Sequence, residues 1–332
     1  MSMISIDIDT IFNPDIPYKE KLQIVFNYQF EHSPVYSSFL KTLELKKGSV
    51  IDPETVPLLP IKAFKYTPIV CGDKEPQLVF KSSGTTNMDR STHYISDPEY
   101  YRRAIETEFY KYFPANRYAL LYHMPGYQKN SDSSLIWMAN HLIERDTDSL
   151  NRFLPENRTE LFNWFKRVYD KKKKVLLFGA AFGLLDLIDH NRITFPEPIE
   201  IIETGGMKTF RRDMSKKELR IQLAKGFGLE QKFIHSEYGM CELLSQMYSI
   251  GSEWFKAPDW VYVTIRKSDN PTVPCEPGME GKIGIIDLAN LHSCSFILTE
   301  DRGIKNESGL FKVLGRWSNQ NLRGCNFLID EE

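Results

Sequence analysis

Four short segments of the sequence combine hydroxyl, glycine, carboxylate and guanidinium groups in patterns that could bind a nucleotide. The first follows the apolar stretch Leu78 to Phe80. It consists of Ser82, Ser83, Gly84, Thr85 and Thr86. Hydroxyls and backbone N–H groups in such a turn form an anion-binding concavity that suits phosphate oxygens. An ordinary Ser/Thr-rich turn is the alternative interpretation of this segment.

The second and third segments each follow a predicted strand. Gly205 and Gly206 come after Ile199 to Glu203, and paired glycines permit a sharp turn and the close approach of a flat ligand. The third segment reads Tyr-Gly-Met-Cys-Glu and ends at Glu242. A tyrosine face can cover a purine, and a carboxylate beside a phosphate site can hold Mg²⁺. The third segment contains Tyr238, Gly239, Met240, Cys241 and Glu242.

The fourth segment supplies a carboxylate and a guanidinium near the ends of two predicted strands. Asp301 lies in Thr-Glu-Asp, and Arg316 follows Gly315. These two groups could bind a pair of sugar hydroxyls or a phosphate. Two surface turns are the alternative interpretation.

The elements that must position these segments alternate between strand and helix, which predicts an α/β domain with a largely parallel sheet. Capping patterns at Ser96 and at Ser215 predict two of the helix starts. Strand patterns dominate after about residue 260. We therefore expect three regions: a helical segment over 1–50, an α/β core over 51–259 and a β-rich subdomain over 260–332.

Composition excludes several classes of protein. The chain has 332 residues, 42% hydrophobic and 26% charged, which is typical of a globular protein. A net charge of −2 excludes a protein that binds nucleic acid through a strongly basic overall field. The five cysteines form no CxxC pair, which excludes a zinc ribbon and favours a reducing compartment. The longest apolar run, Val175 to Leu185, is about half of the ~20 residues that a membrane-spanning helix needs. We expect a soluble cytoplasmic protein without a secretory leader.

Together and in this order, the four segments resemble the motifs of the adenylate-forming (acyl-activating, phenylacetate-CoA ligase-like) superfamily. Its phosphate loop reads Ser/Thr-Ser-Gly-Thr-Thr-Gly-x-x-Lys, and its later motifs are Tyr-Gly-x-Thr-Glu, Thr-Gly-Asp and Gly-Arg. Within it, the chain is most similar to the LuxE-type acyl-protein synthetase family, from about Pro57 onward. The segments that carry this likeness are 124–127, 133–136, 203–208, 235–240, 314–316 and 323–326.

The resemblance implies the α/β large-domain fold of adenylate-forming enzymes, with a β-rich C-terminal part. It also implies a reaction that uses ATP and Mg²⁺: a fatty acid is activated to acyl-AMP, and the acyl group passes to a cysteine thiol. Ser82 to Thr86 would cradle the phosphates, and Glu242 would hold Mg²⁺. Gly205, Gly206 and Tyr238 would border the adenine. Asp301 would take the ribose hydroxyls with Arg316 nearby, and Cys325 in Arg-Gly-Cys-Asn would accept the acyl group.

Three departures from the family pattern bear on these expectations. The phosphate loop continues to Arg90 without the usual glycine and lysine, so Arg90 would supply the charge. Cys241 replaces a threonine hydroxyl that would contact a phosphate. The sequence ends at Glu332, without the roughly hundred-residue lid with a catalytic lysine that typical superfamily members carry, as expected for LuxE-type relatives.

Two other functions are compatible with the same residues. One is an acyl-CoA ligase of the phenylacetate type, and the other is a non-catalytic module that binds a nucleotide or an acyl group. The expected partners are a small carboxylic acid and either CoA or an acyl-acceptor protein, with no nucleic acid and no membrane span. Residues 122–127 and 178–182, which are apolar and aromatic, are predicted to line the acyl pocket, with plain core as the alternative.

Overall fold

The computed structural model describes residues 6–82, 90–126, 130–190, 193–205 and 214–317, and the structural statements below concern those residues. Their α-helices are α1 (Ile8–Phe12), α2 (Tyr18–His32), α3 (Pro34–Thr42), α4 (Ala63–Tyr66), α5 (Pro98–Tyr112), α6 (Ser134–Glu144), α7 (Arg158–Asp170), α8 (Ala181–Asp189) and α9 (Lys216–Phe227). Their strands are β1 (Leu59–Pro60), β2 (Leu78–Lys81), β3 (Thr92–Ile95), β4 (Tyr118–His123), β5 (Arg152–Phe153), β6 (Lys174–Ala180), β7 (Glu200–Thr204), β8 (Ile234–Tyr238), β9 (Met247–Ser249), β10 (Val261–Arg266), β11 (Gly281–Asp287), β12 (Phe296–Lys305) and β13 (Phe311–Arg316). Short 3₁₀ turns cover Gln231–Phe233 and Leu288–Asn290.

A six-stranded sheet in the order β5-β4-β6-β7-β8-β9 forms the α/β part. Its pairs are parallel except β8 with β9, which is antiparallel. The central strand β6 reads Lys-Val-Leu-Leu-Phe-Gly-Ala and is buried at every position after Lys174. A continuous apolar run is typical of a parallel strand that is covered on both faces. The predicted α/β class is confirmed.

The two faces of this sheet pack against separate hydrophobic clusters. On one face, Leu177, Ile201 and Ile234 join Trp164 of α7 and Leu219 of α9. The opposite face belongs to a larger cluster that includes Phe178 of β6 and Phe109 of α5, whose rings are 6.5 Å apart and nearly parallel. The sheet is therefore the middle layer of the α/β part, and the carboxyl ends of β7 and β8 share one edge.

A second sheet forms the β-rich region, in the order β1-β12-β11-β10 with β13 paired to β12. All of its pairs are antiparallel except β1 with β12. Strand β1 brings Leu59 and Pro60 from early in the chain to Ile297 and Leu298. The domain boundaries near residues 50 and 259 stay predictions.

The predicted helix starts are confirmed in one case and corrected in another. Ser215 and Glu218 form the predicted capping box at the start of α9, with both reciprocal hydrogen bonds present. The sequence predicted Ser96 as the cap of α5. The cap is instead Asp97, whose carboxylate accepts from the Glu99 N–H. The Ser96 hydroxyl instead donates to the Lys74 carbonyl at 3.2 Å.

Two candidate motifs lie inside strands, whereas the sequence suggested that they follow strands. Strand β8 continues through Tyr238 because β7 and β9 pair with it on both sides. Strand β12 is ten residues long and contains Asp301, because β11 and β13 flank it. In the described part of the chain, no helix is both long and apolar enough to cross a bilayer.

Candidate functional site

The candidate site lies at the edge where β7 and β8 end. Thr204 and Glu237 are paired in register at that edge, so the residues that follow them, Gly205 and Tyr238, lie side by side. Gly205 has a φ of +83°, a conformation that favours glycine. Its carbonyl accepts a hydrogen bond from Lys216 Nζ at 3.1 Å. Gly206 lies outside the described residues.

Three of the predicted residues form one hydrogen-bonded group across three strands. The Tyr238 hydroxyl donates to Asp301 Oδ2 at 2.7 Å, and Arg316 Nε donates to Asp301 Oδ1 at 3.1 Å. Asp301 and Arg316 are direct partners in the β12–β13 register. Burial raises the pKa of Tyr238 well above its usual range, and the charge of Asp301 raises it further. The phenol therefore stays protonated and available as a donor to the carboxylate.

The ring of Tyr238 is held by two phenylalanines. Its centroid lies 5.9 Å from that of Phe255 and 5.8 Å from that of Phe311. Such tilted and edge-on contacts fix the plane of an aromatic ring. Phe255 and Phe311 thus hold the ring of Tyr238, which is half-buried at the site edge.

The predicted phosphate loop connects β2 and β3, which form an antiparallel hairpin. Ser82 and Ser91 close its base, where the Ser91 N–H donates to Ser82 Oγ and the Ser82 N–H donates to the Ser91 carbonyl, each at 3.0 Å. Arg90 donates to the carbonyls of Ser82 and Lys81. The other predicted residues of this loop lie outside the described residues: Ser83, Gly84, Thr85 and Thr86.

The Cys241–Glu242 segment lies beside the base of that hairpin. Burial raises the pKa of the Cys241 thiol well above its usual range, Glu242 raises it further, and the Arg90 guanidinium opposes both. Arg90 is therefore near enough to act on Cys241 electrostatically. Glu242 is only 5% exposed. The structure brings together Ser82, Arg90, Cys241 and Glu242 from the first and third predicted segments.

Two residues that the sequence analysis missed hold this segment by its backbone. His93 Nδ1 lies 2.8 Å from the Cys241 carbonyl oxygen, and His93 Nε2 lies 2.9 Å from Asn290 Oδ1. Asn290 Nδ2 donates to the carbonyls of Glu242 at 2.8 Å and Cys294 at 2.9 Å. Burial lowers the pKa of His93 to about 4. We call His93 and Asn290 the carbonyl clamp.

Asp287 is a third residue without a sequence signal, and it fixes the chain just after Glu242. Its carboxylate accepts from the backbone N–H groups of Leu244 and Ser245, both at 3.0 Å, and from the Ser245 hydroxyl at 2.7 Å. Burial raises the pKa of Asp287 to about 6, although these hydrogen bonds act in the opposite direction. The third segment is therefore anchored on both sides of Glu242.

The remaining predicted residues are placed as follows. Gly239 follows Tyr238 directly, and a Cβ atom added there would meet Glu237 Oε1. Tyr122 and Phe178, predicted to line the acyl pocket, are completely buried. Cys325 lies outside the described residues. Within the described ranges, no group of three or more His, Cys, Asp or Glu side chains could hold a metal ion.

Comparison with known proteins identifies the fold. A structure of 2-hydroxyisobutyryl-CoA ligase in complex with 2-HIB-AMP and CoA superposes with a TM-score of 0.64 at 14% identity, covering 90% of this chain and 73% of the ligase. The same ligase in its thioesterification state gives a TM-score of 0.66 at 15% identity, covering 91% and 68%. ATP-bound MatB from Rhodopseudomonas palustris gives 0.51 at 13% identity, covering 72% of this chain and 47% of MatB. No curated protein matches the sequence.

The sequence profile of one family matches more than half of the chain. The family is described as "Acyl-protein synthetase, LuxE", and the match covers residues 138–332. That range includes Gly205, Tyr238, Glu242, Asp301 and Arg316, around which the candidate site is built. The predicted family and the predicted fold are both confirmed. The chain belongs to the LuxE acyl-protein synthetase family and has the large-domain fold of the adenylate-forming ligases.

Proposed function

We propose that the protein activates a carboxylic acid with ATP, forming acyl-AMP, and transfers the acyl group to a thiol. The observation that carries this proposal is the hydrogen-bonded group of Tyr238, Asp301 and Arg316 at the edge of the sheet. Family membership and fold support the same reaction. A fatty acid is the proposed substrate, and Cys325 is the proposed first acceptor.

Nucleotide binding follows from the chemistry of the site edge. We assign the adenine to Gly205 and Gly206, because glycines permit the close approach of a flat ligand, and to Tyr238, whose ring can cover a purine. The Asp301 carboxylate, held by Tyr238 and Arg316, is an acceptor for the two ribose hydroxyls. We assign these four contacts to ATP and not to the acid.

In the adenylation step, a carboxylate oxygen of the acid attacks the α-phosphorus of ATP. A new C–O–P linkage forms, the α–β phosphoanhydride bond breaks, and pyrophosphate leaves. Negative charge gathers at phosphorus, and hydroxyl and N–H donors of residues 82–86 stabilise it, with Arg90 as the nearby cation. Cys241 and Gly239 complete this side of the nucleotide site.

The residues beside the proposed phosphate site include a carboxylate that suits Mg²⁺. Mg²⁺ is commonly held by one or two carboxylates together with phosphate oxygens of the substrate. Glu242, a buried carboxylate of the third segment, is the proposed ligand. Bound there, the ion would neutralise phosphate charge.

In the transfer step, the Cys325 thiolate attacks the carbonyl carbon of acyl-AMP. The thioester bond forms, the bond to the phosphate oxygen breaks, and AMP leaves. Only the thiolate is nucleophilic, so Cys325 requires a cationic neighbour, and Arg316 and Arg323 are the proposed ones. A protein acceptor or CoA would then take the acyl group.

ATP–pyrophosphate exchange with a panel of carboxylic acids, from short aromatic to long fatty acids, tests the adenylation. Exchange with one class of acid is the expected result, and its loss in Asp301→Ala would tie it to this site. Tight ATP binding without exchange under any acid would instead favour a non-catalytic binding module.

Mass spectrometry of the enzyme after reaction tests the transfer. An acyl adduct on Cys325 is expected. In Cys325→Ser, self-acylation should disappear. If acyl-CoA formation persists in that variant at the original rate, the protein is an acyl-CoA ligase and Cys325 is not on its pathway.

A further inference from the structure

Four buried polar residues cluster where β7 and β8 end, next to the nucleotide segments. Thr204 ends β7 and pairs with Glu237 of β8, which in turn pairs with Tyr248 of β9. Gln246 lies two residues before Tyr248. Paired residues share a face, so Thr204, Glu237 and Tyr248 lie on the same side of the sheet. Gln246 precedes β9, and its Cγ and Glu237 Oε1 would both meet a Cβ atom added at Gly239. None is more than 5% exposed. We call Thr204, Glu237, Gln246 and Tyr248 the polar floor.

The polar floor has hydrogen-bonding groups that the described residues do not satisfy. Thr204 Oγ1 donates to Glu237 Oε2. By contrast, Gln246 Oε1 and the hydroxyl of Tyr248 have no hydrogen-bond partner among the described residues, and neither has the hydroxyl of Tyr122 on the same face. An unsatisfied buried polar group costs about 1–3 kcal/mol, so several together in one place call for an explanation.

The described residues also compensate the charge of Glu237 incompletely. Lys216, a nearby cation, forms its ion pair with Glu203, at 2.7 and 2.8 Å to the two carboxylate oxygens. Burial raises the pKa of Glu237 to about 7, the Thr204 hydrogen bond and Lys216 oppose this rise, and Glu203 adds to it. A buried carboxylate is ordinarily paired with a cation or saturated with donors.

The surroundings of the polar floor connect it both to the nucleotide segments and to an aromatic layer. On one side, Gly239 lacks a side chain where a Cβ atom would meet Glu237 Oε1. On the other side, the ring of Tyr248 lies 6.1 Å from that of Phe109, and the Tyr122 ring lies 5.6 Å from that of Phe178. Polar acceptors thus lie at the transition from the nucleotide segments to a layer that is otherwise aromatic.

We propose that the polar floor binds the acyl portion of the acid substrate, and that the acyl chain carries a hydroxyl or ammonium donor. This inference rests on the proposed adenylation activity. The carboxylate of Glu237 and the free oxygen of Gln246 are acceptors, so the matching ligand group is a donor. A site built to hydrogen-bond a substrate group strongly rejects the analogue that lacks it, because its own buried polar groups then stay unpaired.

The test compares acids that differ only in the donor. ATP–pyrophosphate exchange is measured with alkanoic acids of four, six and eight carbons and with their ω-hydroxy and ω-amino counterparts. A donor-bearing acid should exceed its alkyl counterpart in kcat/KM by at least about 100-fold, a difference of about 2.7 kcal/mol. Equal or better exchange with the alkyl acids would overturn the inference while leaving the proposed adenylation intact.

Glu237→Gln removes the charge but keeps the shape. It should lower the kcat/KM preference for the ω-amino acids over the alkyl acids at least tenfold, and it should lower the preference for the ω-hydroxy acids less. Glu200→Gln is the matched control. Glu200 is a buried glutamate of β7 on the same face of the sheet as Glu237, and its carboxylate bonds to Tyr118 and His235, away from the site edge. Thermal unfolding verifies that both variants fold. A preference unchanged by Glu237→Gln would contradict the role of the polar floor.

Absence of exchange with every acid would refute the proposed adenylation. Calorimetric titration of the same acids in the presence of ATP then decides the inference separately. Donor-dependent binding that Glu237→Gln abolishes would sustain it. Binding of no acid, or binding without regard to the donor, would show that only buried water satisfies the polar floor.

Discussion

Replacing Asn290 by alanine should destabilise the protein more than any ordinary loop substitution. Three buried polar groups depend on its side chain: the carbonyls of Glu242 and Cys294, which accept from Nδ2, and His93 Nε2, which faces Oδ1. Asn290 is 1% exposed, so solvent cannot simply replace these bonds. The variant leaves all three groups without their present partner.

The size of the effect follows from that count. Each unsatisfied buried group costs about 1–3 kcal/mol, and a water molecule that enters the vacated space recovers part of it. We expect the free energy of unfolding to fall by about 3–6 kcal/mol, a large fraction of the ~5–15 kcal/mol typical of folded proteins. With a urea slope near 3 kcal/mol per M, the midpoint should move down by about 1–2 M.

Urea unfolding followed by tryptophan fluorescence measures this shift. Asn306→Ala is the control, because the Asn306 side chain also bonds to backbone, with Oδ1 accepting from the Leu310 N–H at 3.0 Å, but at a half-buried turn. Its expected cost is below about 1 kcal/mol. Asn290→Asp preserves the volume and removes both donors, so it should also be clearly destabilised. Equal midpoints for Asn290→Ala and Asn306→Ala would refute the carbonyl clamp as a structural device.

Three further outcomes are expected. Because burial raises the pKa of Glu237 to about 7, the folded protein should lose stability as pH rises from about 5 to 7, and Glu237→Gln should flatten that part of a pH–Tm profile. Burial also favours a raised pKa for Glu200, but hydrogen bonds such as that from His235 outweigh it and hold the value at about 2. Stability should therefore fall as pH drops from about 5 to 2, and Glu200→Gln should remove this loss; an unchanged acid limb would contradict it. Finally, Asp301→Ala should raise KM for ATP about 10- to 100-fold, the effect of losing a charge-assisted hydrogen bond of ~1.5–3 kcal/mol. The neighbouring control Glu300→Ala breaks only a surface ion pair and should change KM less than about threefold. Similar KM values for the two variants would remove Asp301 from the nucleotide site.

Local signals in the sequence were sufficient for some of the elements. The capping box of Ser215 and Glu218 and the apolar run of β6 are properties of a few consecutive residues, so they can be recognised without the fold. The proximity of Tyr238, Asp301 and Arg316 was predictable only through the resemblance to a known family, since more than sixty residues separate the first from the second.

Long-range pairing explains what the sequence could not reveal. His93 and Asn290 belong to no motif, and 197 residues separate them, so their pairing exists only once β3 and the 288–290 turn have docked. A carboxylate is unusual in a buried strand, so the sequence carries no local signal that Glu237 lies in β8. Its strand position is tolerated because Thr204 on the neighbouring strand donates to it.

The same dependence on distant partners sets the order in which the molecule can form. Gln29 of α2 donates to the carbonyls of Asn290 and Leu291, at 3.0 and 2.9 Å, and accepts from the Ser295 N–H at 3.0 Å. Its first partner follows 261 residues later. At ~5–20 residues per second, a ribosome needs about 13–50 s to make that stretch, whereas a helix forms in about a microsecond. During most of synthesis the Gln29 side chain therefore lacks these partners, and the turn that supports Glu242 can dock against α2 only after residues 288–295 have been made.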